Sequence, residues 1–440
     1  MGVRGWAAAG IGAVALAAGV APAAVAAPTA EVPLERQVLP PGDGWASVGP
    51  GTTGGSGADE AHVFTVRTWE ELRAALGGAG ARGDTTPRIV RVAGPIDANT
   101  GPDGQPLTCE DYADPAYSPE EYLQAYDPAT WGDQEPAGPL EDARARSQEN
   151  QEEQVRQYVG SNVTLVGVGP DARIVGAAMT VRGSTNVIVR NIRFSDAYDC
   201  FPAWDPGDSG GTWNSEYDNL WIAESSHVWV DHSTFDDGEH PPSALPEYFG
   251  AKYEVHDGLL DITNGADLVT VSWNRFVDHD KVMLIGSSDS RLTDRGKLRV
   301  TLHHNLFDRT GQRTPRVRFG QVHVANNHYV RPDAAGYVYS WGVGRESAIL
   351  AEDNFFDLGP GIAPADIVTV YGGTGLAASG TLVNGRSPES AVDVVAAYNA
   401  EHDPDLDPSV TWQPPYDLQL HPTQAVPGVV GAQAGAGRIG

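Results

Sequence analysis

Six short segments of this chain stack in a single alignment: NVIVRNIRF (186–194), HVWVDHSTF (227–235), LVTVSWNRF (268–276), RVTLHHNLF (299–307), QVHVANNHY (321–329) and AILAEDNFF (348–356). Every row ends on an aromatic. Seven positions earlier stand Val187, Val228, Val269, Val300, Val322 and Ile349, and five positions earlier Val189, Val230, Val271, Leu302, Val324 and Ala351. Such alternation, rich in β-branched residues, marks short strands with one buried face. Its recurrence at spacings of 22 to 41 residues points to a solenoid, with loops of unequal length leaving the coils. Two positions before the aromatic, four of the six rows carry Asn274, Asn305, Asn327 and Asn354. At one turn of successive coils these amides would form a hydrogen-bonded ladder. A β-sandwich also alternates, but it gives no reason for aligned asparagines and aromatics. The expected fold is therefore all-β, a parallel β-helix with loop excursions and a few short helices.

Other segments frame this repeat. FTVRTWEELRAALGG (64–78) reads as a strand followed by a short amphipathic helix, and GPLEDARARSQENQEEQVRQYVG (138–160) as a polar, exposed helix after an excursion that begins near Thr100. The glycine- and alanine-rich GVVGAQAGAGRIG (428–440) reads as a mobile tail. At the other end, Arg4 precedes an apolar run from Ala7 to Val20, and Ala24-Val25-Ala26 offers a small-residue cleavage site. Residues 1–26 are predicted to be a secretory signal removed after Ala26, leaving one domain over 27–440 that is exported and has no membrane partner. Two cysteines, Cys109 and Cys200, are compatible with one disulfide in an exported protein, two buried thiols being the alternative.

Charge is unevenly spread. The formal net charge is −29, from 29 Lys and Arg against 58 Asp and Glu, which argues against nucleic acid as a partner. From Asp199 to Asp261 there are fourteen carboxylates and one lysine, whereas Lys281 to Arg318 holds nine Lys and Arg and three carboxylates. These segments occupy neighbouring coils, so they would meet on one side of a solenoid and could hold a cation beside an anion. The acidic candidates are Asp218, Asp257 and Asp261, a set that suits calcium if waters or a substrate carboxylate complete it. Residues four apart on a straight strand lie roughly 13 Å apart. Asp257 and Asp261 could share an ion only if the chain bends, which Gly258 permits. The basic segment GQRTPRVRFG (311–320) gathers Arg313, Arg316 and Arg318 around a proline. Four other features carry little. Asp231-His232-Ser233 has triad residue types but only adjacency. His303 and His304, as strand neighbours, point to opposite faces. The glycines of 48–57 lack a following Lys-Ser/Thr, and the sequon at Asn162 lies in a strand pattern.

The segments WVDHSTFDDG (229–238), HDGLLDITNGADLVTVSWN (256–274), DHDKVMLIGSSDS (278–290) and QRTPRVRFGQVHVANNHYV (312–330) carry a further signal. Through these motifs, from about residue 44 to beyond FFDLG, the chain resembles the extracellular pectate lyases of polysaccharide lyase family 1. The resemblance implies a right-handed parallel β-helix and calcium-dependent β-elimination of polygalacturonate. By position it implies that Asp218, Asp257 and Asp261 bind Ca2+, that Lys281 and Arg318 bind substrate carboxylates, and that Arg313 is the base. Arg316 receives no role from it.

The chemistry fits these residue types. The C5 proton of a galacturonate lies α to a carboxylate and is barely acidic while that group is anionic, so cations around the carboxylate favour its removal. Guanidinium is well shaped for carboxylates. An arginine base, with a reference pKa above about 12, implies an alkaline optimum. Three other readings are set beside this one. A pectin lyase acting on methyl esters has no need of so cationic a cleft, and a polygalacturonase would use paired carboxylates. A noncatalytic pectin-binding β-helix would keep its function without Arg313. The protein is expected to act as a monomer.

Overall fold

The computed structural model describes residues 1–10, 32–208 and 210–439. The chain divides into one unit of Met1–Pro33 and a second of Leu34–Gly440. The expected cleavage site at Ala24–Ala26 lies outside the described residues. The strands and the candidate site all belong to the second unit.

The backbone winds through three parallel sheets, of ten, eight and nine strands among the described residues. One coil shows the rule: Leu220–Ala223, Ser226–Asp231 and Thr234–Asp236 enter three different sheets before the chain returns at Leu260–Thr263, beside Leu220–Ala223. We call the first the cleft sheet and the second the back sheet. This is a parallel β-helix, and the alignment of the repeats is its register. Val187, Val228, Val269, Val300, Val322 and Ile349 pair in that order along the back sheet, all buried. The terminal aromatics form one interior column, Phe194–Phe235–Phe276–Phe307–Tyr329–Phe356, with ring centroids 4.2 to 5.2 Å apart and planes within 13° of parallel.

The corner that leads from the back sheet to the third sheet has a fixed recipe. The residue three before each aromatic has left-handed backbone: Asn191, His232, Trp273, His304, Asn326 and Asp353, with φ between 44° and 59°. The next residue closes the corner. Asn274 Nδ2 donates to Asn305 Oδ1 at 3.2 Å, Asn305 to Asn327 at 3.0 Å and Asn327 to Asn354 at 3.2 Å. Each acceptor oxygen also takes the main-chain N–H of the preceding asparagine, so buried polar groups are satisfied from coil to coil.

Three sequence expectations need correction. His303 and His304 do not diverge: left-handed backbone at His304 turns its ring back, and the two Nδ1 atoms lie 2.9 Å apart. The polar helix, Pro139–Val155, is not wholly exposed. It buries Ala143, Arg144, Ser147, Gln151 and Val155, and its polar groups find partners: Arg144 donates to the Phe201 carbonyl and Gln151 to that of Tyr198. A polar face can be buried when it meets exposed main chain. The tail is also ordered. Val426–Gln433 is helical with Val426 and Val430 buried, and the N–H groups of Gly435 and Gly437 donate to Trp273 O and Asn191 Oδ1.

Segments near both ends of the second unit cover the back sheet. Trp45, Ala46 and Gly55 donate their N–H groups to hydroxyls of Thr301, Thr270 and Thr164, while Tyr416 reaches the Thr301 hydroxyl from the other end of the chain. Cys109 and Cys200 are bonded, with Cα atoms 5.4 Å apart, tying the long excursion to the loop beyond Arg193–Ser195. The short helix expected after the strand is Trp69–Leu76, capped by the Thr68 hydroxyl, and it packs at one end of the coils.

Candidate functional site

The chain enters the cleft sheet at the same place on successive coils, and the candidate residues stand at those entries. Asp218 precedes Leu220–Ala223, Asp257 precedes Leu260–Thr263, which holds Asp261, Lys281 precedes Leu284–Ile285, and Arg313 precedes Arg316–Val317. Main-chain bonds lock these approaches together. Asp257 N–H donates to Tyr217 O at 3.2 Å, Leu259 to Val282 O at 3.0 Å and Met283 to Arg313 O at 2.8 Å. Positions far apart in sequence thereby become neighbours along the solenoid.

Gly258 is the hub of the acidic cluster. Its N–H donates to Asp218 Oδ1 at 2.7 Å. A Cβ added there would stand 2.5 Å from Asp261 Oδ1 and 2.7 Å from Asp218 Oδ1, so the two oxygens converge on space that only glycine leaves open. Asp261 Oδ1 also accepts the Leu284 N–H at 2.8 Å. Asp257 is more exposed, with Lys281 Nζ 3.6 Å from its Oδ1. Burial first, then the charges of Asp261 and Asp257, pushes the Asp218 carboxyl well above the ordinary range. Burial and Asp257 raise Asp261 to about 7, against the pull of the Leu284 N–H, Arg313 and Lys281. Mutual repulsion in a partly dry site is what a cation would relieve. Among the described residues no three of His, Cys, Asp and Glu are gathered closely enough to enclose a metal by themselves. The donor set fits calcium as an open site, two converging carboxylates and a third at the rim, needing further oxygens from water or ligand. The cavity here, about 300 Å³, is also lined by Glu216, Arg156 and Trp221.

The basic side of the cleft differs residue by residue. Arg313 has left-handed backbone, φ 58°, which for a non-glycine residue costs on the order of 1 kcal/mol. Its Nε is buried without a partner, and among the described residues its guanidinium forms no ion pair. Arg318 is tied down instead, donating to Asp289 Oδ1 at 2.7 Å and to Gly286 O at 2.9 Å. Arg316 also faces outward from the cleft sheet, its guanidinium 3.8 Å over the Tyr371 ring.

One residue of the DHDK motif received no role from the sequence. His279 is buried, its Nδ1 2.7 Å from Asp237 Oδ1, its Nε2 2.9 Å from the carbonyl of Asp257 and 3.2 Å from that of Lys281. Acceptors at both nitrogens require a doubly protonated ring. Although burial opposes the charge, Asp237 carries the imidazole up to about 9. His279 thus pins the backbone of an acidic and a basic cleft residue at once. The motif contains it, but only the coil register shows what lies on either side.

Residues 139–439 match the sequence profile of a family described as pectate lyase. A pectate lyase of Bacillus subtilis (strain 168) is 46% identical over 411 residues, 92% of this chain and 94% of its own length. The chain belongs to the pectate lyases of polysaccharide lyase family 1. Pectate lyase E of Dickeya chrysanthemi is 37% identical, over 78% of this chain and 76% of its own. Among solved structures, a thermostable pectate lyase superposes with a TM-score of 0.90 at 47% identity, across 92% of this chain and 100% of the other. A pectate lyase bound to a hexasaccharide gives 0.87 at 45% identity, across 93% of this chain and 100% of the other. Membership makes the protein an enzyme, a polysaccharide lyase, and sets aside the hydrolytic and noncatalytic readings. The structural neighbours are pectate lyase β-helices, in agreement with the coils of this chain.

Proposed function

We propose that this pectate lyase cleaves polygalacturonate by calcium-dependent β-elimination, with Asp218, Asp257 and Asp261 as the cation ligands, Lys281 and Arg318 on substrate carboxylates and Arg313 as the base. The observation that carries the reading is the convergence of Asp218 and Asp261 over Gly258, beside the unpaired guanidinium of Arg313. Once Arg313 has given a proton to solvent, its neutral guanidine takes the C5 proton of a galacturonate and becomes guanidinium again; the C5–H electrons form the C4=C5 double bond, and the C4–O4 bond breaks with its pair leaving on the oxygen of the departing chain, which is then protonated by solvent. Calcium bound at the aspartates would offset the charge of the uronate carboxylate, making C5 a better acid. Lys281 and Arg318 orient the chain so that this proton faces Arg313, a gain of geometry rather than of new chemistry. Ultraviolet absorbance of the unsaturated product tests the calcium claim. The reading requires absorbance to grow with calcium, to stop with chelator, and to be weakened by Asp218→Asn with the fold intact. Full activity in chelator would remove calcium from the account.

We further propose export, with residues 1–26 removed. The Cys109–Cys200 bond is suited to an oxidising compartment, and no helix among the described residues is long and apolar enough to cross a membrane. N-terminal sequencing of secreted protein checks this: a mature chain starting at Ala27 agrees, and an intact Met1 contradicts it.

A further inference from the structure

Arg316 is the one arginine of the basic segment that neither the sequence motif nor the mechanism uses. It stands on the outer face of the cleft sheet, in register with Leu284 on one side and Gly342 on the other, while Val317 beside it points into the core. Leu284 bonds to Asp261 in turn, so Arg316 lies two strands, or about 10 Å, along the groove from the acidic cluster. Its neighbour Arg318 is already paired with Asp289. Among the described residues Arg316 forms no ion pair, and its Nε is buried without a partner.

The surroundings hold this guanidinium in place. It lies 3.8 Å over the ring of Tyr371, whose centroid is 5.5 Å from that of Tyr339, a fully buried residue. Gly342 makes the packing possible, because a Cβ there would come within 2.9 Å of both Arg316 Cγ and Tyr339 Cε2. Cation–π contact uses the flat face of the guanidinium and leaves its N–H edge free for bidentate donation. Burial, then the charges of Arg318 and Arg313, holds Arg316 below its ordinary value, a crowding that an anion would relieve.

We propose that Arg316, braced by Tyr371, binds a carboxylate of the pectate chain other than the one at the reacting sugar. The guanidinium lies over Tyr371, on the strand beyond Gly342 and so on the side away from Leu284 and Asp261, which places the contact on a neighbouring uronate, acting on chain binding and length preference. The proposal rests on the pectate reading above. Its test uses the full-length mature enzyme, the variants Arg316→Met and Arg316→Lys, and oligogalacturonates of increasing length. Arg316→Met keeps the packing stem and loses the charge. The expected result is a KM at least tenfold higher on long substrates, with kcat much less affected, a defect that vanishes for the shortest cleaved oligomer, and partial rescue by Lys. Tyr371→Leu, which removes the brace and leaves the charge, should give a weaker defect with the same length dependence. An unchanged KM at every length overturns the proposal, as does an equal loss of kcat and kcat/KM at every length. If the parent enzyme released no unsaturated product from any of these substrates, the pectate reading itself would fail, which is a different outcome.

Discussion

At the scale of single residues, Gly258 is where the site has least tolerance. The usual argument for a glycine is backbone freedom, but here the constraint is spatial, because a methyl group would occupy the point toward which two carboxylate oxygens converge. Gly258→Ala should therefore reduce kcat/KM by about a hundredfold, the scale expected for misplacing reacting groups by an ångström, while leaving the melting temperature nearly unchanged. Loss of activity that tracks unfolding would refute that account. At this scale the sequence was informative about residue type and poor about company. Asp218, Asp257 and Asp261 could be nominated from a carboxylate-rich stretch and a glycine able to bend, yet nothing local says that Gly258 N–H bonds Asp218, forty residues earlier. The same holds for Arg316: its charge is plain in the sequence, whereas Tyr371 lies two coils further on, and that it meets no Asp or Glu among the described residues can be seen only in space.

At the scale of elements, the repeating strands were the most legible part of the molecule. A parallel β-helix repeats its contacts coil by coil, so the aligned valines, aromatics and asparagines are neighbours as well as analogues. The ladder makes a quantitative demand. Asn305 takes the N–H groups of Asn274 and donates to Asn327 and to the Val271 carbonyl, all in a buried setting. Asn305→Leu leaves several of these groups unpaired, at about 1–3 kcal/mol each, and should lower the unfolding free energy by about 3 kcal/mol, read as a lower denaturant midpoint at an unchanged slope. A loss below about 0.5 kcal/mol would mean that the neighbouring amides re-pair. Elements that dock over long distances were read less well. The tail looked mobile because glycine and alanine offer little local preference, but Val426 and Val430 bury against Phe355 and Leu382. The helix Pro139–Val155 looked exposed because its buried face is polar, satisfied by carbonyls of a loop some fifty residues away.

Over the whole solenoid, segments near both ends of the second unit bind the back sheet while the cleft occupies another sheet. One of the links is ionisable. His304 is buried against Trp273, ring centroids 4.2 Å apart, with Nε2 2.9 Å from Nδ1 of His421 in the C-terminal segment. Burial, then His303 and His421, pushes its imidazole down to about 2 from the usual 6.5. Between those values the unfolded chain binds a proton that the folded chain refuses, so stability falls as pH falls below 6.5. The slope for this group reaches about 1.4 kcal/mol per pH unit. The wild-type melting temperature should therefore drop between pH 7 and pH 5 more steeply than that of His304→Gln; parallel curves would show that His304 does not contribute. The charge pattern also resolves at this scale. The acidic and basic stretches of sequence converge on consecutive entries to the cleft sheet, which is why a strongly acidic chain can present cations to an anionic polymer.

The central claim is that Arg313 removes a proton from an anionic uronate, and one paired experiment addresses it. Purified mature protein and Arg313→Ala are incubated with polygalacturonate and calcium, and unsaturated product and reducing ends are followed together. The account predicts that both signals rise in parallel for the parent and that both fall by at least about a thousandfold in Arg313→Ala, which remains folded and still binds polygalacturonate. Unsaturated product formed by Arg313→Ala at near the parental rate would contradict it.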